Sequence, residues 1–353
     1  MKKHGWLSRI TFGGASLILS GLLLLSYASV LVNPAKAWFF TIFGLLFFPL
    51  LLCAVLFFFW AVLRRSRMAL LLALLLLPAL LFFGRYYQFK GPEDPPEPTL
   101  KVVSYNVGLF AHSQVEGTRL ALADSVAAYL RSLDADVICL QEFYLPPKQE
   151  EIGAWLRLHF PGYQAEYYAL TGRNGRFGNI TISRLPIIAK GKLAFEKSTN
   201  MALYTDIRLK NTTLRFYNCH FESYNISIPA LIKRIGKEED VMEDTGRRMR
   251  RSIIQRPQQV EAVMRDIDAC PVHSVVLGDF NDTPVSYTYQ RLRRSRSDAF
   301  VKAGKGFGAT YNLLHPLLRI DYILCPRDLE AVSYQVDHVR YSDHYPVIAT
   351  YSE

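Results

Sequence analysis

The first 84 residues contain three stretches without a single Asp, Glu, Lys or Arg: Ile10–Val32, Ala37–Leu63 and Met68–Gly84. Uncharged runs this long and this close together do not fit a soluble core. A helix crosses the hydrocarbon layer with roughly 20 apolar residues, so the first two stretches are long enough outright. The third, with 17 residues, sits at the lower limit. Pro49 and Pro78 fall inside these stretches, where neighbouring helices can supply the lost backbone partners. The expectation is a membrane anchor over residues 1–90 with three transmembrane helices, at about 10–32, 37–63 and 68–84.

Basic residues beside the spans set the orientation. Lys2, Lys3 and Arg9 precede the first, and Arg64, Arg65 and Arg67 separate the second from the third; the other flanks carry Lys36, then Arg85 and Lys90. That places the N-terminus inside and everything after Gly84 outside. Ala35-Lys36-Ala37 resembles a signal-peptidase site, but the run before it is longer than a usual signal core, so an uncleaved first span is expected. Cleavage would still leave the final domain outside. The expected location is the bacterial cytoplasmic membrane, crossed several times, with the final domain extracytoplasmic.

The proline-rich, acidic stretch Gly91–Pro98 cannot continue a helix and reads as a linker. Beyond it strands and helices alternate. Strands are expected at Leu100–Val107, Asp136–Gln141, Tyr163–Leu170, Asn179–Ser183, Leu203–Leu209, Thr213–Phe221, His273–Leu277, Ile320–Cys325 and Tyr345–Tyr351. Helices are expected at Arg119–Leu133, Glu150–Phe160 and Pro257–Ile267. The mixture suits an α/β sandwich of packed sheets covered by helices.

Charge narrows the partners. The net charge is +10, but residues 1–97 hold 9 of the 41 Lys and Arg and 3 of the 31 Asp and Glu, which leaves 32 minus 28, or +4, for residues 98–353. A sequence-blind nucleic-acid binder usually carries a stronger basic footprint. Nucleic acid is therefore not the favoured partner. The five cysteines show no C-x-x-C or Cys/His metal spacing, and buried thiols are the default reading.

Polar residues gather where the expected strands end. The motifs run in the order Ser104-Tyr105-Asn106-Val107, Gln141-Glu142, Asn218-Cys219-His220, Gly278-Asp279-Phe280-Asn281-Asp282, Ile320-Asp321-Tyr322 and Ser342-Asp343-His344. An isolated carboxylate at a strand end is usually a cap or a solvated loop residue. Six motifs in one order, each beside an apolar strand, are harder to dismiss.

This ordered set resembles the endonuclease/exonuclease/phosphatase superfamily, whose members include deoxyribonucleases, sphingomyelinases and inositol-polyphosphate phosphatases. The resemblance covers about residues 99–352. It implies a four-layer α/β sandwich and hydrolysis of phosphoesters with Mg²⁺ or Mn²⁺. It assigns Glu142 as the principal metal ligand, with Asn106 and Asp343 near the metal. Asp279 and Asn281 flank the attacked phosphate, His344 is the catalytic histidine and Asp321 its carboxylate partner. His220, where abasic-site endonucleases tend to carry tyrosine, points to the deoxyribonuclease-, sphingomyelinase- or phosphatase-like branches.

Elementary chemistry agrees. A nucleophile must approach an anionic phosphate, and a hard cation held by carboxylate oxygens neutralises that charge. Asp279 would deprotonate the attacking water while Asn281 donates to a phosphoryl oxygen. His344, kept cationic by Asp321, would stabilise charge growing in the transition state, and His220 would contact the phosphate or assist the leaving group. Asn179 and Arg176, with Arg173 and Gly175 beside them, are candidate phosphate contacts. Thr310 and Tyr311 are candidate rim contacts, and Asp282 reads as a loop cap. The Ser223–Gln255 segment reads as an insert with mixed charge, either a solvated amphipathic helix or a membrane-facing element rich in arginine. The favoured function is hydrolysis of a lipid-headgroup or other membrane-proximal phosphoester. The alternatives are an extracytoplasmic nuclease and an inactive binding domain.

Overall fold

The structure, a computed structural model, describes residues 2–89, 91, 97, 99–111, 118–145, 152–172, 175–196, 198–210, 212–224, 241–313 and 315–352. The chain divides into a helical unit (Met1–Tyr86, Ile226–Pro257 and Asp282–Arg291) and a second unit (Tyr87–Asn225, Gln258–Asn281 and Leu292–Glu353). The residues of the Pro-rich linker from 92 to 96 and about half of the expected insert, residues 225–240, lie outside the described residues.

In the helical unit the three apolar stretches become four helices: α1 (Lys2–Ala28), α2 (Phe39–Leu45), α3 (Phe47–Leu63) and α4 (Met68–Phe83). The expectation of three spans is corrected here. Among the described residues, only α1 offers a single helix long and apolar enough to cross a bilayer, over Ile10–Ala28. The pair α2–α3 meets that test only when taken together, and it is bent by 62°. Pro49 explains the break: its ring clashes with the carbonyl four residues back, on Leu45, where α2 ends. Helix α4 has 16 residues and is too short for the same test. The unit packs through Leu23, Phe47, Ala54, Ala79 and Val285, all nearly inaccessible. A side chain at Gly44 would collide with the Val285 carbonyl and with Ser29, whose hydroxyl donates to that carbonyl at 3.1 Å.

The second unit holds two six-stranded mixed sheets. Sheet one contains β2 (Leu100–Asn106), β3 (Val137–Leu145), β4 (Gln164–Gly172), β5 (Gly175–Ser183), β13 (Glu330–Val336) and β14 (Val347–Ser352), in the order β13-β14-β2-β3-β5-β4. Sheet two contains β6 (Ile187–Ala194), β7 (Met201–Arg208), β8 (Thr213–His220), β9 (His273–Asp279), β10 (Arg296–Asp298) and β12 (Asp321–Pro326), in the order β10-β12-β9-β8-β7-β6. A separate two-stranded ribbon joins β1 (Tyr87–Gln88) to β11 (Gly306–Phe307). Each large sheet has one central parallel pair, β2 with β3 and β8 with β9, and the other pairings are antiparallel.

Period-two alternation builds the layers. Val102, Val137 and Cys139 meet Phe216, Val275, Leu277 and Ile323 in the core between the sheets. Val103, Tyr105, Ile138 and Leu140 point the other way, onto α5 (Arg119–Ser132) and α6 (Ile152–His159). Over sheet two, the Tyr217 hydroxyl donates to Asp266 of α7 (Val241–Ala269), and Arg215 lies 3.5 Å from the same carboxylate. The result is an α/β fold of two mixed sheets flanked by helices. The expected helix at Pro257–Ile267 is the second half of α7, and Pro257 sits inside it.

Asn218 carries polar contacts across the apolar interior. Asn218 on β8 is inaccessible, and its amide donates to the Leu140 carbonyl at 3.1 Å and the Ile180 carbonyl at 2.9 Å. Its oxygen accepts from Gln141 at 2.8 Å. Asn218→Leu would strand two buried acceptors and should destabilise the protein by about 3 kcal/mol. Thermal unfolding of the full chain in detergent, followed by near-UV circular dichroism, checks this; an unchanged transition would contradict it.

Candidate active site

The register of sheet two places three functional side chains side by side, because His220 pairs with Asp279 and Asp279 pairs with Asp321. All three lie at strand termini. At Gly278, with φ +124°, a side chain would strike the Cys219 carbonyl, so the close approach of β8 and β9 beneath the site requires glycine. In sheet one, Asn106 ends β2 opposite Gln141. The next residue, Glu142, has φ +51° and sits in a bulge where the β3–β5 register shifts between Leu140 and Phe143. A bulge re-aims a side chain that strict alternation would send elsewhere, and here it turns Glu142 toward Asn106 and His220.

Asp279 is at the centre and is 1% exposed. Its Oδ2 accepts from the amides of Asn106 and Asn281, each at 2.9 Å, and its Oδ1 accepts from the Asn281 backbone N–H at 2.8 Å. His220 Nε2 lies 3.7 Å and His344 Nε2 3.8 Å from Oδ2. The same His220 nitrogen is 3.5 Å from Glu142 Oε1 and is buried without a hydrogen bond. Asn106 also donates to Glu142 Oε1 at 3.2 Å. The Asn106 nitrogen therefore faces the carboxylates, while its oxygen accepts from the Gly108 N–H at 3.0 Å.

His344 Nδ1 is 2.9 Å from Asp321 Oδ2. Thr310 fixes the start of that strand by accepting from the N–H groups of Ile320 and Asp321, both at 3.0 Å. Burial alone would lower the His344 pKa, but Asp321, Asp279 and Asp343 outweigh it and push the imidazole up to about 10. Burial raises the Asp279 carboxyl above its ordinary value; His344 opposes that rise and Asp321 adds to it.

Among the described residues, two groups can offer one ligand atom per residue within 4.8 Å of one another: Glu142, His220 and Asp279, and Asp279, Asp321 and His344. Two carboxylates and an imidazole with an unpartnered nitrogen fit a divalent cation bound through one or two carboxylates. Asp343 is outside both groups. It is exposed, accepts from Ser342 at 3.3 Å, and is hydrogen-bonded to Tyr311. Tyr311 forms a backbone bridge to His344 and rests its ring against the imidazole at 4.8 Å.

Other expected contacts fall elsewhere. Asn179 does not reach outward to a phosphate: it is 1% exposed and donates to the carbonyls of Asn218 and Met201, at 3.0 and 3.4 Å. Thr310 is fully buried and not on the rim. Arg176 is exposed on β5, and among the described residues no hydrogen bond or ion pair joins it to the cluster. Arg173 lies outside the described residues. Asp282 does cap the Thr283 N–H at 3.1 Å, but within the helical unit it is also paired with Arg256 at 3.2 Å, at 3% and 1% exposure.

Sequence reasoning missed Arg256, Gln259 and the bridging role of Asn218. Gln259 accepts from the Glu222 N–H at 2.8 Å, two residues beyond His220, and donates to the Glu222 carboxylate at 3.2 Å. Nothing in the local sequence separates Arg256 from the basic run before it, whereas Asn218, an amide inside an apolar strand, carried a readable signal.

A buried histidine held by Asp321 thus stands beside a carboxylate cluster where strands of both sheets end. Residues 103–344 match the profile of the Endonuclease/Exonuclease/phosphatase family. The chain therefore belongs to that family, whose members are hydrolases of phosphoester bonds and usually use divalent metals. Residues 9–86 match a domain of unknown function. A comparison with curated proteins returned no match. Among solved structures, the chain is similar to a family protein from Leptotrichia buccalis (18% identity, TM-score 0.52, 72% of this chain and 100% of that one). It is also similar to the endonuclease/exonuclease/phosphatase from Bacteroides vulgatus (15% identity, TM-score 0.53, 72% and 98%). Truncated TDP2 from Caenorhabditis elegans gives 15% identity, TM-score 0.50, and coverage of 72% and 98%.

In metal-free protein, the His344 ring signals should not titrate between about pH 6 and about pH 8.5, because the imidazole keeps its proton up to its raised pKa. Asp321→Asn removes the bonded carboxylate, so the imidazole should lose its proton at lower pH. Histidine NMR checks both; a wild-type ring titrating at the ordinary value would contradict the assignment.

Proposed function

We propose that the protein is a metal-dependent phosphoesterase that hydrolyses a phosphodiester or phosphomonoester carried by a lipid headgroup or another membrane-proximal molecule. The observation that carries the chemistry is Asp279 shared between the Glu142–His220 and Asp321–His344 groups. Glu142 would hold Mg²⁺ or Mn²⁺ as its principal ligand, with Asp279 and His220 beside it. A bound cation would neutralise phosphate charge and stabilise the leaving oxygen.

The protein's own groups divide the remaining work. Asp279, at the centre of the cluster, takes the proton of the attacking water. Asn106 and Asn281 hold that carboxylate in place. Both Asn281 amide hydrogens are engaged, by Asp279 and by the Phe221 carbonyl at 3.0 Å, so donation to a phosphoryl oxygen requires exchanging one of them. His344, held cationic through Nδ1, directs its Nε2 proton toward charge developing on phosphate. His220 Nε2 is available to a ligand or leaving group.

We assign the membrane to the helical unit. Supporting this, Leu56, Leu63, Leu70, Leu74, Leu80 and Leu81 are 57–83% exposed on α3 and α4. Exposed leucines gathered on two helices fit a lipid-facing surface better than a wet one. In this reading α1 crosses the bilayer, the bent α2–α3 pair enters it, and the second unit lies outside the cytoplasm.

A panel of phospholipids, nucleic acids and small phosphate esters with Mg²⁺ or Mn²⁺ tests the reading. Glu142→Ala and His344→Ala should each lower kcat/KM by about 10²- to 10³-fold. Chelation should abolish turnover, and added metal should restore it. No hydrolysis across the panel, or mutants equal to wild type, would overturn the catalytic reading. Preferential cleavage of nucleic acids would overturn the substrate class alone.

A further inference from the structure

We propose that the aromatic patch formed by Tyr87, Phe89 and Phe307 is a bilayer-docking surface of the catalytic unit. This rests on the membrane assignment of the helical unit. The patch is built by the β1–β11 ribbon, which belongs to neither large sheet and pairs Tyr87 directly with Phe307. The Tyr87 ring meets Phe307 edge-on at 4.9 Å and Phe89 edge-on at 5.0 Å. Despite these contacts Phe89 is 78% and Phe307 42% exposed, and neither contributes to the cores of the sandwich. Leaving two phenyl rings in water is unfavourable, and a ribbon that holds them together outside the core needs an occupant.

Chain connectivity selects the occupant. Tyr87 follows the last residue of α4, Phe83, by four positions, which span at most about 14 Å. Helix α4 ends with Leu80 and Leu81 exposed, and Arg85 follows with its guanidinium over the Phe82 ring at 4.6 Å. An apolar helix end, an arginine and then exposed aromatics is the order found at a membrane–water interface, where amphipathic rings settle among headgroups. Lys305, exposed two residues before Phe307, adds a cation suited to anionic headgroups. A bilayer satisfies the ring exposure, the adjoining charge and the short tether together.

The consequence reaches the reacting groups. Phe307 precedes Tyr311 by four residues, and Tyr311 bridges to His344. The short segment that carries the patch therefore leads to the catalytic histidine, so docking would present phosphate groups in the bilayer surface to the rim formed by Tyr311 and Asp343.

The test uses the full chain reconstituted in phosphatidylcholine–phosphatidylglycerol vesicles, with Phe89→Trp and Phe307→Trp read by brominated-lipid quenching above the native tryptophan signal. Leu158→Trp, at an exposed apolar position on α6, is the control. Both patch tryptophans should emit at shorter wavelength and lose most of their added fluorescence, while the control loses none. Vesicle-integrated protein, shown by flotation at alkaline pH, with unquenched patch tryptophans would overturn the docking surface and leave the anchor standing. Protein that fails to float would overturn the anchor and the docking surface with it.

Discussion

The Asp279 carboxylate is the constraint around which the second unit is organised. A carboxylate taken out of water costs several kcal/mol unless other groups replace its hydration. Here Asn106 and Asn281 donate to it, and His220 and His344 stand within 4 Å. These four residues come from β2, from the loop after β9, from β8 and from the approach to β14. Satisfying one buried anion thus requires both sheets to end at the same edge, in the register His220–Asp279–Asp321. The same convergence leaves a dense negative site with His344, held by Asp321, on its wall, which suits a divalent cation and an anionic ester. Fold and chemistry have one origin.

Much of this was readable in the residues. Asn106, Glu142, His220, Asp279, Asp321 and His344 each follow or precede an apolar strand, and the structure brings all six together. What could not be read was direction. Asn179 has the same local signature as a site residue, yet strand alternation turns it inward to the Asn218 carbonyl. Glu142 is the reverse case, because only the bulge beside it aims it correctly. Strand β6 gives no such signal, because at the sheet edge it exposes five of its eight residues, buries none and shows no apolar alternation. Pro257 marks a helix start by the position proline favours, yet α7 begins sixteen residues earlier at Val241.

The helical unit shows a similar limit of composition. Hydropathy marked three apolar stretches and the structure makes all of them helical, but composition does not register where a helix breaks. Pro49 ends α2 at Leu45 and divides one long stretch into a bent pair. The unit also contains the segment Asp282–Arg291, which begins at the residue after Asn281. Arg256 and Asp282, both buried, fix that segment within the unit, so peptide continuity links the helical unit to the loop that carries Asp279 and Asn281.

The central claim is that the Asp279-centred cluster holds a divalent cation, and anomalous diffraction from crystals grown with Mn²⁺ tests it most directly. The account predicts a manganese peak at Glu142, with Asp279 and His220 beside it, that disappears in Glu142→Gln. A peak elsewhere in the protein, or one that persists unchanged in Glu142→Gln, would contradict it.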